Sequence, residues 1–495
     1  MDGCSGAARS HRRFTGAALA LAALAGVAPS GAEELPAPPR VEDGLALLVD
    51  DALAANLELR AESASVQQRM AALDQARARY LPVIDFAARY SVADGGRTID
   101  FPAADLLNPV YERLDQMLVA GGQPPRFPRV SNQEIELLRS REQETKLVLE
   151  QPIYEPRLAP GVEAGRQELS RAEADLSALR ARVVRDMRQA YYQWLAAQQA
   201  VIVLQATLEL AQANLDANSS LYRNGRITRD LVYRAEADVL EVEQQRLFAA
   251  SRVRLSKSYV NLLRDAPLET PVPAAEIDPA TIDRFRTRFA RRLAGRPAEL
   301  AELQSLAVDE RAELAGLDAA IAAGEAQQDL ARAAFRPRVA LGAEAGIQGE
   351  EYGTSEEDRY VLATVVLRWN AFRGGADRAA LREARALTEE LRATRDLAAQ
   401  QVRLDVQRAL EDLGVAEATL ETAAKRADAA EGAFRIVSRK RDLGQINQAE
   451  FIDSRRALTD ARLNLTRVRA EYLARLAELE YAVGGTRALG EEPAS

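Results

Sequence analysis

Four short segments with a β-strand pattern interrupt a sequence whose pattern is otherwise helical. Apolar and polar residues alternate at about 82–91, 145–154, 337–347 and 360–370. The long stretches around them have apolar residues three and four positions apart, which is the helical period. Four strands are too few to close on themselves, because small membrane barrels begin at about eight strands. The chain must therefore either leave this sheet open or complete it with strands from elsewhere.

The two faces of the predicted strands differ in polarity. The apolar face is expected to consist of Ile84, Phe86, Leu147, Leu149, Leu341, Val365, Leu367 and Trp369. The polar face is expected to carry Asp85, Arg89, Lys146, Glu150, Arg338, Glu344 and Arg368. Such strands suit a soluble sheet with one wet face. They also suit a barrel wall with lipid on one side and water on the other, because about ten tilted residues cross a hydrocarbon core.

A barrel would require association of several chains. An open sheet edge in lipid leaves backbone N–H and C=O groups unpaired, at several kcal/mol each. Three copies of the chain would supply twelve strands.

Internal repetition is the second strong constraint. Three motifs occur twice: "RARYLP" (77–82) and "RAAFRP" (332–337), "LEQPIY" (149–154) and "LRWNAF" (367–372), "YRNGRI" (222–227) and "RDLGQI" (441–446). Each copy is predicted to run helix, strand, loop, strand, long helix, tight turn, long helix. Within each copy Pro82 or Pro337 should end a helix and open a strand, because proline cannot continue a helix.

The repeat also predicts the organisation of the chain. Its parts are a first copy at 33–264, a proline-rich linker at 265–283, a second copy at 284–484 and a C-terminal tail at 485–495. The first copy contains an insertion at 93–140 that is rich in Gly, Pro and polar residues. Helical patterns at about 162–222 and 447–483 predict coiled-coil-like packing. The first would form a rod of roughly 90 Å at about 1.5 Å per residue.

Residues 1–32 have the pattern of a secretory signal peptide. Three arginines precede the apolar run "FTGAALALAALAGVA", and small residues end the segment at Ala32. The run is shorter than the roughly 20 residues that a membrane-spanning helix needs. Cys4 precedes the run, so it cannot be the acylated cysteine of a lipoprotein. We therefore expect an exported protein.

Removal of this segment limits the available chemistry. The chain's single Cys (Cys4) and single His (His11) both lie within it. The remainder would have no zinc site, no Cys nucleophile and no Ser–His–Asp triad, so neither an enzyme nor a cofactor is expected. Loss of three Arg and one Asp leaves a net charge of −11, which argues against nucleic acid as a partner.

Six segments carry a resemblance to a known family: "ARYLPVIDFAARY", "LVLEQPIY", "LYRNGRITRDLVYRAEADVL", "RPRVALGAEAG", "LRWNAFRGG" and "RDLGQINQAEFIDSRRALTDARLNL". With them, the chain from about 41 to 484 resembles the TolC-like outer-membrane efflux proteins. The resemblance implies a mainly α-helical homotrimer, with a 12-stranded β-barrel in the outer membrane and a 12-helix α-barrel across the periplasm. It also implies a passive channel that receives cargo from an inner-membrane pump through a periplasmic adaptor.

Drug efflux, metal efflux and type I protein secretion all use channels of this design, so the sequence leaves the cargo open. A soluble periplasmic coiled-coil scaffold or adaptor is the alternative function. Adaptors usually need a compact β domain between their helices, and the sequence has no such block. The insertion 93–140 is expected outside the cell, over the barrel mouth.

The turns at Gly225 and Gly444 are expected at the periplasmic tip. Family members carry acidic residues six and nine positions after the second glycine, which here are Glu450 and Asp453. Three copies would give two carboxylate rings that favour cations at a constriction. The alternative is an ordinary solvated helix edge.

The chain departs from the latch that closes the tip of the best-known member. The three latch positions hold Arg441, Ile446 and Leu231. Asp230, one residue out of register, is a candidate partner for Arg441 or Arg226. Contact with the adaptor is expected at the tip, through Asn224, Gly225, Arg226, Arg441, Leu443 and Gly444.

Overall fold

A computed structural model describes residues 40–137, 140–292, 299–353 and 355–485. The predicted signal segment and the end of the predicted tail lie outside these ranges. In the first copy the elements are α1 (Val41–Ala55), α2 (Leu57–Ala78), β1 (Val83–Val92), β2 (Thr98–Phe101), α3 (Ala103–Ala120), β3 (Gln133–Glu136), β4 (Arg141–Tyr154), α4 (Leu158–Arg223) and α5 (Arg229–Leu263). In the second copy they are α6 (Pro279–Arg292), α7 (Leu300–Glu310), α8 (Ala312–Ala333), β5 (Arg338–Gly349), β6 (Arg359–Arg368), α9 (Ala376–Asp442) and α10 (Gln448–Ala482).

The two copies have closely matched long helices. Helices α4 and α9 contain 66 and 67 residues, and α5 and α10 contain 35 each. At about 1.5 Å per residue, α4 and α9 are each about 100 Å long. Helix α4 packs against α5 and α10, and α10 packs against α9. The mainly helical fold with the predicted element order is confirmed.

The four long strands form one antiparallel sheet in the order β1-β4-β5-β6. The antiparallel pair β4–β5 joins the two copies, since β4 belongs to the first and β5 to the second. Strands β1 and β6 are the edges. The four predicted strand segments coincide with these strands to within a few residues at each end.

A buried core ties the helices together where the two copies meet. Met187, Tyr191 and Trp194 of α4 pack there with Leu45 of α1 and Leu473 of α10. Burial raises the pKa of the Tyr191 hydroxyl above its usual range, and that hydroxyl donates to the Pro273 carbonyl oxygen at 2.9 Å. The core therefore holds part of the segment 265–283, and α6 already begins within that segment.

The insertion of the first copy is more regular than its composition indicates. It contains the 18-residue helix α3 and a second small sheet, β2–β3. Proline inside a helix removes a hydrogen bond, and Pro109 lies inside α3. This residue, together with the flanking Gly and Pro, hides the helix from pattern analysis.

Candidate functional site

The sheet separates apolar and polar side chains onto opposite faces. Residues directly opposite one another in an antiparallel pair point to the same side. Ile84 lies opposite Leu149, and Leu341 lies opposite Val365, on what we name the apolar face. The polar face is the other side, where β1 contributes Asp85 and Arg89, β4 contributes Lys146 and Glu150, and β5 and β6 contribute Arg338, Glu344 and Arg368. The predicted partition between the faces is confirmed for every residue named above within the strands.

The polar face carries a connected cluster of ions. The Lys146 ammonium lies 3.0 Å from a carboxylate oxygen of Glu144 and 3.0 Å from one of Glu344. Arg89 reaches Glu144 from the edge strand at 3.3 Å. Gly346 lies beneath this cluster, and a Cβ there would come within 2.7 Å of the Lys146 Cβ. These groups remain partly exposed, so they form a wet, charged surface.

The apolar face has aromatic residues near both ends. Tyr90 stacks on Tyr352 at one end, with ring centroids 6.2 Å apart, and Trp369 is exposed at the other. About twelve strand residues separate the two levels, or roughly 40 Å along the strand. Outer-membrane barrels likewise have aromatic girdles on both sides of an apolar band about 25 Å tall, which their strands cross at a tilt of about 35–45°.

Equivalent hydrogen bonds mark the junction between helices and strands in both copies. The Gln151 side-chain amide donates to the Tyr80 carbonyl oxygen at 3.0 Å. The Trp369 indole N–H donates to the Phe335 carbonyl oxygen at 3.1 Å. Gln151 and Trp369 occupy matched positions of the repeat, as do Tyr80 and Phe335. The duplication therefore extends to the contacts that turn each helix into its strand.

The turns at the far ends of the long helices have the same backbone geometry. Gly225 and Gly444 have φ angles of 67° and 71°, a region that suits glycine. The Arg226 N–H donates to the Leu221 carbonyl, and the Gln445 N–H donates to the Lys440 carbonyl. Both are Schellman motifs, which satisfy the last carbonyl groups of a helix. Asn224, Arg226 and Leu443, predicted for adaptor contact, are exposed beside them.

Glu450 and Asp453 lie in the first turns of α10, and both side chains are exposed. The side chain of Asn447 caps this helix by accepting a hydrogen bond from the Glu450 N–H at 2.9 Å. Phe451, between the two acids, is buried and fixes the rotation of the helix. The structure therefore brings the two carboxylates to one solvent-facing side of the tip.

The latch positions make other contacts within the chain. The Arg441 guanidinium lies 4.1 Å from the centroid of the Phe451 ring. The Leu231 carbonyl accepts a hydrogen bond from the Gln448 side chain at 3.0 Å, which joins the tips of the two copies. Asp230 is exposed at the same tip. Its pairing with Arg441 or Arg226 stays a prediction.

A buried ion pair connects α5 and α10 just above the tip. Arg455 donates to Asp238 at 2.6 Å, and both side chains are only 2% exposed. Arg456 lies 3.5 Å from Asp238 and pairs with the exposed Glu241 at 2.6 Å. Sequence reasoning missed this network. Asp238 lies between Ala235 and Val242 on the inward side of α5. A charged residue among these inward-facing apolar positions was the signal that could have indicated a buried ion pair.

None of the helices in the described ranges contains an apolar stretch that would span a bilayer.

The model of the outer membrane efflux protein family matches residues 48–258 and 303–485. This match covers well over half of the chain, so the chain belongs to the outer membrane efflux protein family. Membership places it in the outer membrane, with the helical part in the periplasm. The family consists of channel proteins and indicates no catalytic activity.

Individual proteins show the same relationship. The chain is similar to the pyoverdine export outer membrane protein OpmQ of Pseudomonas putida, with 25% identity over 299 residues. That alignment covers 60% of each chain, so it spans less than two thirds of OpmQ. Among solved structures, CusC has a TM-score of 0.73 at 16% identity, over 92% of this chain and 96% of CusC. The CmeC outer membrane channel of Campylobacter jejuni has a TM-score of 0.70 at 15% identity, over 94% and 92%.

Proposed function

We propose that three copies of this chain form one channel through the outer membrane and the periplasm. The observation that carries the proposal is the sheet β1-β4-β5-β6, which has one apolar face, one ionic face and two edges. Lipid against the apolar face would leave the groups of both edges unpaired, at several kcal/mol each. Pairing β6 of one copy with β1 of the next removes that cost and closes twelve strands around the Lys146 cluster.

The long helices offer a second seam between copies. Helix α5 carries Tyr233, Leu240, Leu247, Leu255 and Leu262, which are 53–70% exposed. Their spacing of seven or eight residues keeps them on one side of the helix, away from the inward Ala235 and Val242. An apolar stripe of this length indicates a partner surface. Exposed Leu397, Val415 and Ile436 on α9 supply the apolar groups for that partner in the next copy.

The tip would then control passage. Three-fold symmetry places three copies of Glu450 and Asp453 around one axis, and stacked carboxylates at a constriction favour cations. Asn224, Gly225, Arg226, Arg441, Leu443 and Gly444 form the surface proposed for a periplasmic adaptor, and the adaptor would link the channel to an inner-membrane pump. Conduction through the chain itself would be passive.

Small molecules are the proposed cargo class. The relative OpmQ is named for pyoverdine export. That name supports small molecules, rather than secreted proteins, as the cargo of the present chain. Deletion of the gene separates the two possibilities, with a strain complemented by the intact gene as the control. Small-molecule efflux predicts increased drug susceptibility and an unchanged secretome, whereas protein secretion predicts the loss of specific secreted proteins.

The assembly is tested on the purified protein. We expect outer-membrane fractionation, a heat-sensitive oligomer in SDS gels with the mass of three chains, and ion conductance in planar bilayers. A water-soluble monomer without conductance would favour the periplasmic scaffold instead.

A further inference from the structure

Helix α3, in the insertion between β1 and β4, has one side that packs against its own chain. Asn108 exchanges two hydrogen bonds with the backbone of Val130, at 2.8 and 2.9 Å. Asp115 accepts from the Arg126 N–H at 2.8 Å, and Tyr111 stacks on Phe127 with centroids 5.2 Å apart. The segment 126–130 therefore covers this side of α3 and fixes which side of the helix faces outward.

The adjacent side of α3, roughly 110° around the helix axis, is apolar and uncovered. Leu107, Val110, Leu114 and Met117 are 38–72% exposed, and Leu106 adjoins them with 62%. The spacing from Leu107 to Met117 is three, four and three residues, which is the a/d pattern of a helix that packs against another helix. We call these four residues the α3 seam.

The position of α3 points to the partner. The insertion leaves the sheet from β1, an edge strand, at the end opposite to Pro82 and the long helices. In the proposed trimer this is the outer end of the boundary between two copies, so the three α3 helices surround the same mouth. A seam that repeats on every subunit around a three-fold axis can bury itself against its own copies.

Charge disfavours the lipid surface as the occupant. Helices that lie on membranes carry Lys and Arg on their polar side. Helix α3 has Asp105, Glu112 and Asp115 but only Arg113 as a base. Segment 126–130 adds Arg126 and Arg129, and Arg129 is already paired with Glu112 at 3.1 Å.

We propose that the α3 helices of neighbouring copies pack together through the α3 seam and form a three-helix bundle over the outer mouth. This inference rests on the trimer proposed above. It adds a contact between copies outside both the sheet and the periplasmic helices, and it gives the insertion a structural role in the assembled channel.

Single-cysteine cross-linking tests the bundle, in a chain whose only native cysteine lies in the predicted signal. Met117→Cys lies in the seam, and Gln116→Cys is its exposed neighbour on a different side of the helix. A short bis-maleimide is applied to the purified, detergent-solubilised protein, whose mass is measured separately. Because one cross-link joins two of three chains, the Met117→Cys dimer band should approach about two thirds of the protein, with several-fold less for Gln116→Cys.

The outcomes separate the bundle from the trimer. Equal, low cross-linking of both variants in a particle with the mass of three chains overturns the bundle and leaves the trimer standing. A particle with the mass of one chain overturns both. Val110→Cys, a second seam position, guards against a local defect at position 117 and should cross-link as Met117→Cys does.

Discussion

The two turns at the periplasmic tip share a backbone but differ in the residues that follow. Both are Schellman motifs closed by a glycine with positive φ. After Gly444 comes a capped helix with two exposed acids, Glu450 and Asp453. After Gly225 comes Thr228, whose side chain makes no capping bond, and Leu231 and Arg234 occupy the positions equivalent to the two acids. Duplication thus preserved the turn while the charges diverged, so the second copy carries the features proposed for the pore.

The largest expected effect concerns the ion pair that joins the two copies. Asp238→Ala leaves Arg455 buried without its partner, which should cost about 3–5 kcal/mol of stability. Glu241→Ala removes the exposed partner of Arg456 and should cost less than about 1 kcal/mol. Thermal unfolding of the two variants measures the difference. Similar losses of stability in the two variants would show that burial does not determine how much the Asp238–Arg455 pair contributes.

An apolar replacement of the whole pair refines this test. Oδ2 of Asp238 and Nε of Arg455 make no hydrogen bond, so the pair is incompletely satisfied. The double variant Asp238→Leu/Arg455→Met should therefore recover most of the stability lost in Asp238→Ala.

The glycine turns should respond alike. Gly225→Ala and Gly444→Ala each place a Cβ in open space, so the cost is conformational, at about 1–2 kcal/mol. Chemical denaturation of the two variants compares them directly. A much larger loss in one would mean that its turn makes contacts in the trimer that the other lacks.

Capping should distinguish the two tips. Asn447→Ala removes the bond to the Glu450 N–H and should destabilise α10 by about 1 kcal/mol. Thr228→Ala removes no such bond and should stay within about 0.5 kcal/mol of the parent. Hydrogen exchange of the first turns of α10 and α5 measures each helix. Equal protection in both variants would contradict the assigned cap.

The smallest expected effect is on ion selectivity. Glu450→Gln/Asp453→Asn should lower the cation preference in planar bilayers by a factor of about three, because exposed carboxylates at a constriction set selectivity. The control is Glu236→Gln/Glu243→Gln, which removes two exposed acids from α5. Unchanged selectivity in the Glu450 and Asp453 variant would remove these residues from the pore.

The sequence predicted the parts of the fold that depend on periodicity. Alternation is a local property, so the faces of Phe86 and Lys146 could be assigned before any pairing was known. Helix α3 was not predicted because Pro109 and the surrounding turn residues favour turns over helix. The Asp238–Arg455 pair escaped because its members are 217 residues apart, on helices where charged residues are abundant and mostly solvent-exposed.

The matched junction bonds of Gln151 and Trp369 have a consequence for symmetry. If each half of the chain is a near-equivalent building block, then a closed ring of three chains approximates six-fold order while its true order is three. A side chain shared by both halves would then recur six times around the axis, whereas one confined to a single half recurs three times. Substitutions in only one half of the chain can therefore give such a ring an alternating pattern of charge while its backbone stays the same.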